Sequence, residues 1–261
     1  MTYIFILGAG DPEMAAIENL CRLHGHAITY AYSNGRRVHA GNAYSADPIK
    51  LENYNHLTPV WVECRSESYK PDHLIIDHHR EGDPGFGFPP EQYWMGSSIG
   101  QTCKLIGHPQ NDELSIVAAA DHCLSHAYKD RCPGVKPEDL RKWRAKSRSE
   151  FQRVPLAKIE NDVKTAVCIL GKQPKIKIGD EEFIDARGVN LNEFAEASAI
   201  IGDSVIYEIY DPKSRKIKVG VLGGSPIQIE TWMTWAATFL ENCYGDPQRG
   251  YAGGYKPSLQ S

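Results

Sequence analysis

The chain has 261 residues, 41% of them hydrophobic and 24% charged, which suits one large or two modest cores and excludes a disordered polymer. Its 29 basic and 33 acidic side chains leave a formal charge of -4, which disfavours a protein that coats duplex DNA but leaves room for a small phosphorylated ligand in a local pocket. No apolar run approaches the ~18 residues of a bilayer span, and the seven cysteines are scattered without a C-x-x-C pair, so reduced thiols of a cytoplasmic protein are expected rather than a disulfide frame or a thiolate zinc site.

Tyr3–Leu7 is wholly apolar and predicts a buried strand; it is too short for a signal-peptide core and runs straight into Gly8-Ala9-Gly10. Residues 12 to about 24 predict a helix, because Met14, Ile17, Leu20, Cys21 and Leu23 recur near a 3.6-residue spacing and Gly25 supplies a stop. Residues 27–32, 60–64, 74–76 and 116–120 are further strand candidates, and 97–106 has helical spacing. Strands alternating with helices predict a parallel, Rossmann-like α/β sheet built by right-handed crossovers. From Lys136 to about Gly171 the chain turns long, charged and helical, with a break at Pro155. Beyond it, strands are expected at 176–178, 205–210 and 217–222, helices at 191–201 and 229–243, a hairpin turn over Asp211-Pro212-Lys213-Ser214-Arg215, and a tail rich in Gly, Pro and Tyr from Gly245. The expected organisation is a catalytic domain over 1–135, a helical linker over 136–172 and a smaller mixed α/β substrate domain over 173–261.

Chemistry concentrates at Leu74-Ile75-Ile76-Asp77-His78-His79, where an apolar strand ends abruptly in three potential metal ligands. In open parallel sheets, ligands bind outside the carboxyl ends of the strands. Three other apolar runs also end in acids: the first in Asp11-Pro12-Glu13, Val60-Trp61-Val62 in Glu63, and Ile116–Ala120 in Asp121-His122. Carboxylates gathered at one sheet edge repel one another unless cations neutralise them. Oxygen and imidazole ligands together favour Mn2+ or a similar ion over thiolate zinc or a structural Ca2+ site. Two such ions about 3.5–4 Å apart can hold a hydroxide and clamp the oxygens of an in-line phosphoryl displacement. Neither a G-x-S-x-G elbow nor a G-x-G-x-x-G fingerprint is present, since position 13 is Glu.

In this order and spacing the residues resemble the DHH phosphoesterase family, which includes RecJ-like exonucleases, nanoRNases, cyclic-dinucleotide phosphodiesterases and family II pyrophosphatases. Asp11-Pro12-Glu13 lies at the family's D-x-D turn, Glu63 at its strand-end Asp, Asp77-His78-His79 at the name-giving triplet, and Asp121 at the end of the fourth motif. Ser97-Ser98-Ile99-Gly100 is similar to the small-residue helix start that follows the triplet. The resemblance implies metal ligation by Asp11, Glu13, Glu63, Asp77, His78 and Asp121, with Glu63 bridging two ions. It implies catalytic roles for Asp77, His78 and His79, the last contacting phosphate or protonating the leaving group. The cofactor implied is Mn2+ or Mg2+, one ion or two, and the reaction is hydrolysis of a phosphodiester or phosphomonoester by a metal-bound hydroxide.

The departures bear on the first ion. Leu7 stands where the family has a histidine, and Glu13 and Glu63 replace aspartates, each adding a methylene. His122 or His126 could stand in for the missing imidazole, although a polar residue facing its own loop is the commoner outcome. The second domain resembles the DHHA1 type through its place after a helical linker and through Tyr244–Gly254, which is similar to a GGH-type loop but lacks the histidine. Arg249, Gly253 and Gly254 of this domain, with Ser97 and Ser98 of the first, are the substrate-binding residues that the resemblance implies. The basic run Arg141–Arg148 and Gly35-Arg36-Arg37 either steer a polyanion or form solvated faces. The partner expected is a small nucleotide or short single-stranded oligonucleotide, with no membrane and no long duplex DNA. Open alternatives are a nucleotide-binding protein without hydrolysis, a single-strand exonuclease, and a pyrophosphatase-like enzyme using Lys175, Lys177, Arg187, Arg215 and Lys218.

Overall fold

The structure is a computed structural model that describes residues 2–212 and 214–257. Lys213, inside the expected hairpin turn, and residues 258–261, at the end of the expected second domain, lie outside the described residues. The chain is mixed α/β and divides into two compact units, Met1–Phe88 with Gln92–His122, and Pro89–Glu91 with Cys123–Ser261.

The first unit is built on a four-stranded parallel sheet in the order β2 (Ala27–Tyr30), β1 (Tyr3–Leu7), β5 (Thr58–Val62), β6 (Leu74–Ile76). Its central strand β1 (Tyr3–Leu7) is buried along its whole length, and a strand covered on both faces reads as a continuous apolar run. Helix α1 (Pro12–Leu23) begins where the Asp11 carboxylate accepts the Met14 amide at 2.7 Å, with Pro12 in the first turn, where a missing N–H is harmless. Strand β2 (Ala27–Tyr30) pairs on one side of β1, and a short antiparallel ribbon, β3 (Tyr32–Ser33) with β4 (Arg36–Arg37), follows it. Strands β5 (Thr58–Val62) and β6 (Leu74–Ile76) extend the other side. Helices α2 (Tyr93–Gly96), α3 (Ser98–Ile106) and α4 (Asp112–His122) complete the unit, and α1 packs on both α3 and α4. Ile6, Ala31, Val38, Trp61 and Cys64 form a core, with Tyr44, Ile49 and Leu51 packed against it.

The register decides where the chemistry lands. Leu7 sits beside Val62, and Val62 beside Ile76, so three parallel strands finish level with one another. The ladder runs one bond further, with the Gly8 amide donating to the Val62 carbonyl and the Glu63 amide to the Ile76 carbonyl, both at 3.0 Å. A Cβ at Gly8 would lie 2.5 Å from the Glu63 carbonyl oxygen, a backbone atom, so only glycine lets β1 leave the sheet this close to β5.

One expected strand of this unit is a helix: residues 116–120 lie inside α4. A short apolar run does not separate strand from buried helix by itself. Here three consecutive alanines favour the helix, and Asn111 caps it by accepting the Leu114 amide at 2.9 Å. Asp121 therefore comes from the last turn of a helix and not from a strand end.

The second unit holds α5 (Leu124–Tyr128), the long helices α6 (Pro137–Gln152) and α7 (Leu156–Leu170), β7 (Lys175–Ile178), β8 (Glu181–Asp185), α8 (Phe194–Ile201), β9 (Val205–Asp211), β10 (Lys216–Leu222), α9 (Pro226–Ala236), β11 (Glu241–Asp246) and β12 (Tyr251–Tyr255). Its six-stranded sheet has the order β11-β12-β10-β9-β8-β7 and is antiparallel except where β8 pairs with β9. The break between α6 and α7 falls at the expected proline. Three expectations fail here. The expected strands did not include β8. The helix expected to reach Cys243 ends at Ala236, and the glycine-rich tail is two paired strands. Gly253 and Gly254 face Gly220 and Val219 across the ladder, where small residues let Tyr244 and Leu240 pack down on β12.

Candidate metal centre

Four side chains from four different elements converge at the carboxyl edge of the parallel sheet. Glu13 comes from the first turn of α1, Glu63 from the end of β5, His78 from the end of β6 and Asp121 from the end of α4. One ligand atom from each lies within 4.8 Å of all the others. Nε2 of His78 is 3.0 Å from Oδ2 of Asp121 and 3.5 Å from Oε1 of Glu63. His78 is fully buried, and Glu13 and Glu63 nearly so.

The Glu13 carboxylate is held in place from behind. Oε1 of Glu13 accepts the amide of Ile99 at 2.9 Å, in the first turn of α3, where backbone N–H groups are unpaired within the helix. Its other oxygen, Oε2, is buried with no hydrogen-bond partner, and so is Oε1 of Glu63. Glu63 has φ near 50°, a left-handed conformation that costs a non-glycine residue about 1–3 kcal/mol and is commonest at functional sites.

The electrostatics follow from this crowding. Burial, with Asp121 and Glu63 adding repulsion, pushes Glu13 well above the usual carboxylate range. Burial, together with Asp121 and Asp11, raises Glu63 to about 8, and burial with Asp121 raises Asp11 to about 6. Between its unfolded value of 4.5 and its folded value of about 8, Glu63 holds more proton in the native state than in the unfolded chain. The contribution of Glu63 to stability then falls as pH rises through that window. In buffer stripped of divalent cations, the thermal midpoint is expected to drop from about pH 7 to about pH 8, above the range in which the lowered His26, His73 and His126 work the other way. A midpoint that rises or stays level across that range would contradict the carboxylate packing.

Asp77 behaves differently. It is fully buried, yet its carboxylate accepts the His78 amide at 2.8 Å, the His79 amide at 3.2 Å, Nδ1 of His79 at 3.1 Å and the Tyr44 hydroxyl at 3.0 Å, with Arg65 at 3.6 Å. Burial alone would raise it, but the His79 hydrogen bond and the Arg65 charge hold it below its ordinary value. Asp77 is thus the hub that orients the triplet and is not among the four converging residues. Asp11 is not among them either: one carboxylate oxygen caps α1. Leu7 is buried in β1 and offers no donor. Glu63 and His78 also come together with His79, whose side chain is partly exposed.

The remaining candidates are spread out. Ser97 caps α3 by accepting the Gly100 amide at 3.1 Å, and Ser98 is buried beside it. His122 is buried against His78, whereas His126 belongs to α5 of the second unit. Arg37 donates from Nε to the Gly8 carbonyl at 3.0 Å, tying the small ribbon to the loop that carries Asp11. In the second unit Arg249 is nearly buried with its guanidinium over the Tyr251 ring, Arg144 pairs with Glu196 at 2.7 Å, and Arg148 pairs with Glu193. Sequence reasoning missed Tyr44, Arg65 and Gln101, whose side-chain amide donates to the Asp77 carbonyl at 3.1 Å and accepts the Asp77 amide at 3.3 Å. Only Arg65, two residues after Glu63, carried any local signal.

No family model matches the chain, and no curated protein matches it. Among solved structures it is similar to a pGpG-specific phosphodiesterase, PggH, from Vibrio cholerae, at 10% identity and a TM-score of 0.47, over 98% of this chain and 93% of that one. It is also similar to RecJ from Thermus thermophilus, solved in complex with Mn2+, at 11% identity and a TM-score of 0.45. That match covers 98% of this chain and 49% of RecJ, so this chain spans about half the length of that protein. No helix among the described residues is long and apolar enough to cross a membrane.

Proposed function

We propose that the chain is a divalent-metal-dependent phosphoesterase of the DHH type, hydrolysing a phosphodiester or phosphomonoester in a small nucleotide or short single-stranded oligonucleotide. The observation that carries this reading is the convergence of Glu13, Glu63, His78 and Asp121, in which Oε2 of Glu13 and Oε1 of Glu63 are buried and accept no hydrogen bond. Three carboxylates and one imidazole suit Mn2+ or Mg2+, and a buried cluster of acids with orphaned oxygens is what a cation would satisfy. A cation held by these four residues would act as a Lewis acid on phosphoryl oxygens and make water nucleophilic at neutral pH.

The chain's own groups take the remaining roles. The Ile99 amide and the end of β5 hold two of the carboxylates in place. Asp77 fixes His79 through Nδ1, so the opposite ring nitrogen is assigned the proton transfer to the leaving oxygen. Arg249 is the second unit's candidate for a phosphate contact. One tightly held ion is expected rather than two, because Leu7 supplies no ligand and Asp11 spends an oxygen on capping α1.

Protein stripped with EDTA, then titrated with Mn2+ by calorimetry, is expected to take up one ion per chain at the tight site. Stripped protein should not cleave a generic phosphodiester or a dinucleotide, and Mn2+ should restore cleavage. Full activity without metal would sink the hydrolase reading. Tight nucleotide binding with no cleavage in Mn2+ would make the chain a nucleotide-binding protein instead.

A further inference from the structure

We infer that His122 is a positioning residue, fixing the tautomer of His78 so that His78 turns an unprotonated nitrogen toward the acidic cluster. The inference rests on the proposal that the cluster holds a divalent cation. Both rings are buried, at 1% and 0% exposure, and they meet through Nδ1 of each at 3.1 Å. Nε2 of His122 lies 3.0 Å from the Phe88 carbonyl oxygen. A carbonyl can only accept, so the proton of a neutral His122 sits on Nε2 and its Nδ1 presents a lone pair. A neutral His78 must then donate from its own Nδ1 across the 3.1 Å contact, which leaves its Nε2 as the unprotonated nitrogen, the form that can ligate a cation. That Nε2 is the atom 3.0 Å from Asp121 and 3.5 Å from Glu63. The two hydrogen bonds therefore form a directed chain, from the His78 ring to the His122 ring to the Phe88 carbonyl. Such a chain raises the basicity of a ligating imidazole and holds its plane.

A second observation shows that the fold reserves this place for the His122 ring. A Cβ at Gly96, the last residue of α2, would lie 2.5 Å from Cε1 and 2.7 Å from Nε2 of His122, and 2.9 Å from Cβ of Phe88. Any side chain there would displace the ring from its carbonyl. His122 also follows Asp121 directly on the last turn of α4, so one helix end sets both a converging carboxylate and the support of the imidazole opposite it. The sequence alone offers His122 as a substitute ligand; the geometry points to a supporting role behind His78.

The test uses the full chain and two readouts. Nitrogen-15 spectra of histidine-labelled protein, metal-free and with diamagnetic Mg2+, should show the proton on Nε2 of His122 and on Nδ1 of His78. A His122 proton found on Nδ1 would overturn the inference. Calorimetric Mn2+ affinity is then compared across His122→Asn and His122→Gln. Asparagine places its carbonyl near the Nδ1 position and should stay within a few-fold of the parent, whereas glutamine lacks an acceptor there and should lose about 10–100-fold. Equal affinities for the parent and the glutamine variant, or an asparagine variant as weak as the glutamine one, would each overturn it. Failure of the parent to bind Mn2+ would instead refute the proposed function, and the tautomer measurement on metal-free protein would still decide the role of His122.

Discussion

Replacing His78 with alanine is expected to lower Mn2+-dependent hydrolysis by more than about 100-fold, with a parallel loss of Mn2+ affinity. Residues that merely support a ligand cost about 10–100-fold when removed, and His78 stands among the converging atoms themselves, as their one imidazole. The variant loses the nitrogen that faces Asp121 at 3.0 Å and Glu63 at 3.5 Å. It leaves Glu13, Glu63 and Asp121 in place, so the acids repel one another with one fewer donor to share a cation. Whether the variant stays folded separates two readings of the loss. If the variant remains folded by circular dichroism and fails only in Mn2+ binding and turnover, His78 acts at the site. Wild-type turnover in the variant at saturating Mn2+ would refute its role.

The largest effect on stability is expected from Asp77→Ala, at roughly 3–5 kcal/mol, the range for removing one member of a buried ionic arrangement. Asp77 receives hydrogen bonds from two backbone amides, one imidazole and one hydroxyl, and it lies 3.6 Å from the Arg65 guanidinium. Alanine leaves all these donors facing a space with no acceptor, and each unsatisfied buried group carries a desolvation cost of about 1–3 kcal/mol. The loss should exceed that of Asp77→Asn, whose remaining carbonyl still accepts. Urea unfolding monitored by tryptophan fluorescence gives the comparison. A change below about 1 kcal/mol for alanine would show that Asp77 is not the hub its contacts indicate. Activity should fall as well, because the two amides that Asp77 holds belong to His78 and His79, and a shift in that turn moves both rings.

These two predictions divide the triplet by role. Asp77 acts inward, on the shape of the turn, and His78 acts outward, toward the acids. His79 stands between them, tied to Asp77 through one nitrogen and reaching solvent with the rest of its ring. A sequence shows three potential ligands in a row and has no means of telling these roles apart, since each depends on which way a side chain leaves the turn.

The parallel sheet and the place of the triplet were legible in the chain itself. Tyr3–Leu7, Val60–Val62 and Leu74–Ile76 are short apolar runs that read as strands; the last two stop directly against Glu63 and Asp77, and the first leads through Gly8-Ala9-Gly10 to Asp11. Apolar spacing and Gly25 also marked α1, and Pro155 marked the break between α6 and α7. What failed did so where local preference is ambiguous: the Ile116–Ala120 run serves equally as strand or helix, and the glycines of β12 read as a loop until strands are found to pair on both sides of them. Register was decided only in three dimensions. The alignment of Leu7, Val62 and Ile76 brings Glu63 and His78 level, and the packing of α1 and α4 brings Glu13 and Asp121 to meet them. The contacts of Asp77 with Tyr44 and of His78 with His122 span 33 and 44 positions of chain, and no local pattern encodes a hydrogen bond over such separations. Residue types and strand ends determined that acids and imidazoles would gather at one edge. Only tertiary packing decided which of them converge, which are consumed in holding the others, and which nitrogen of His78 faces the cluster, because those outcomes depend on angles and distances that arise once separate elements have closed on one another.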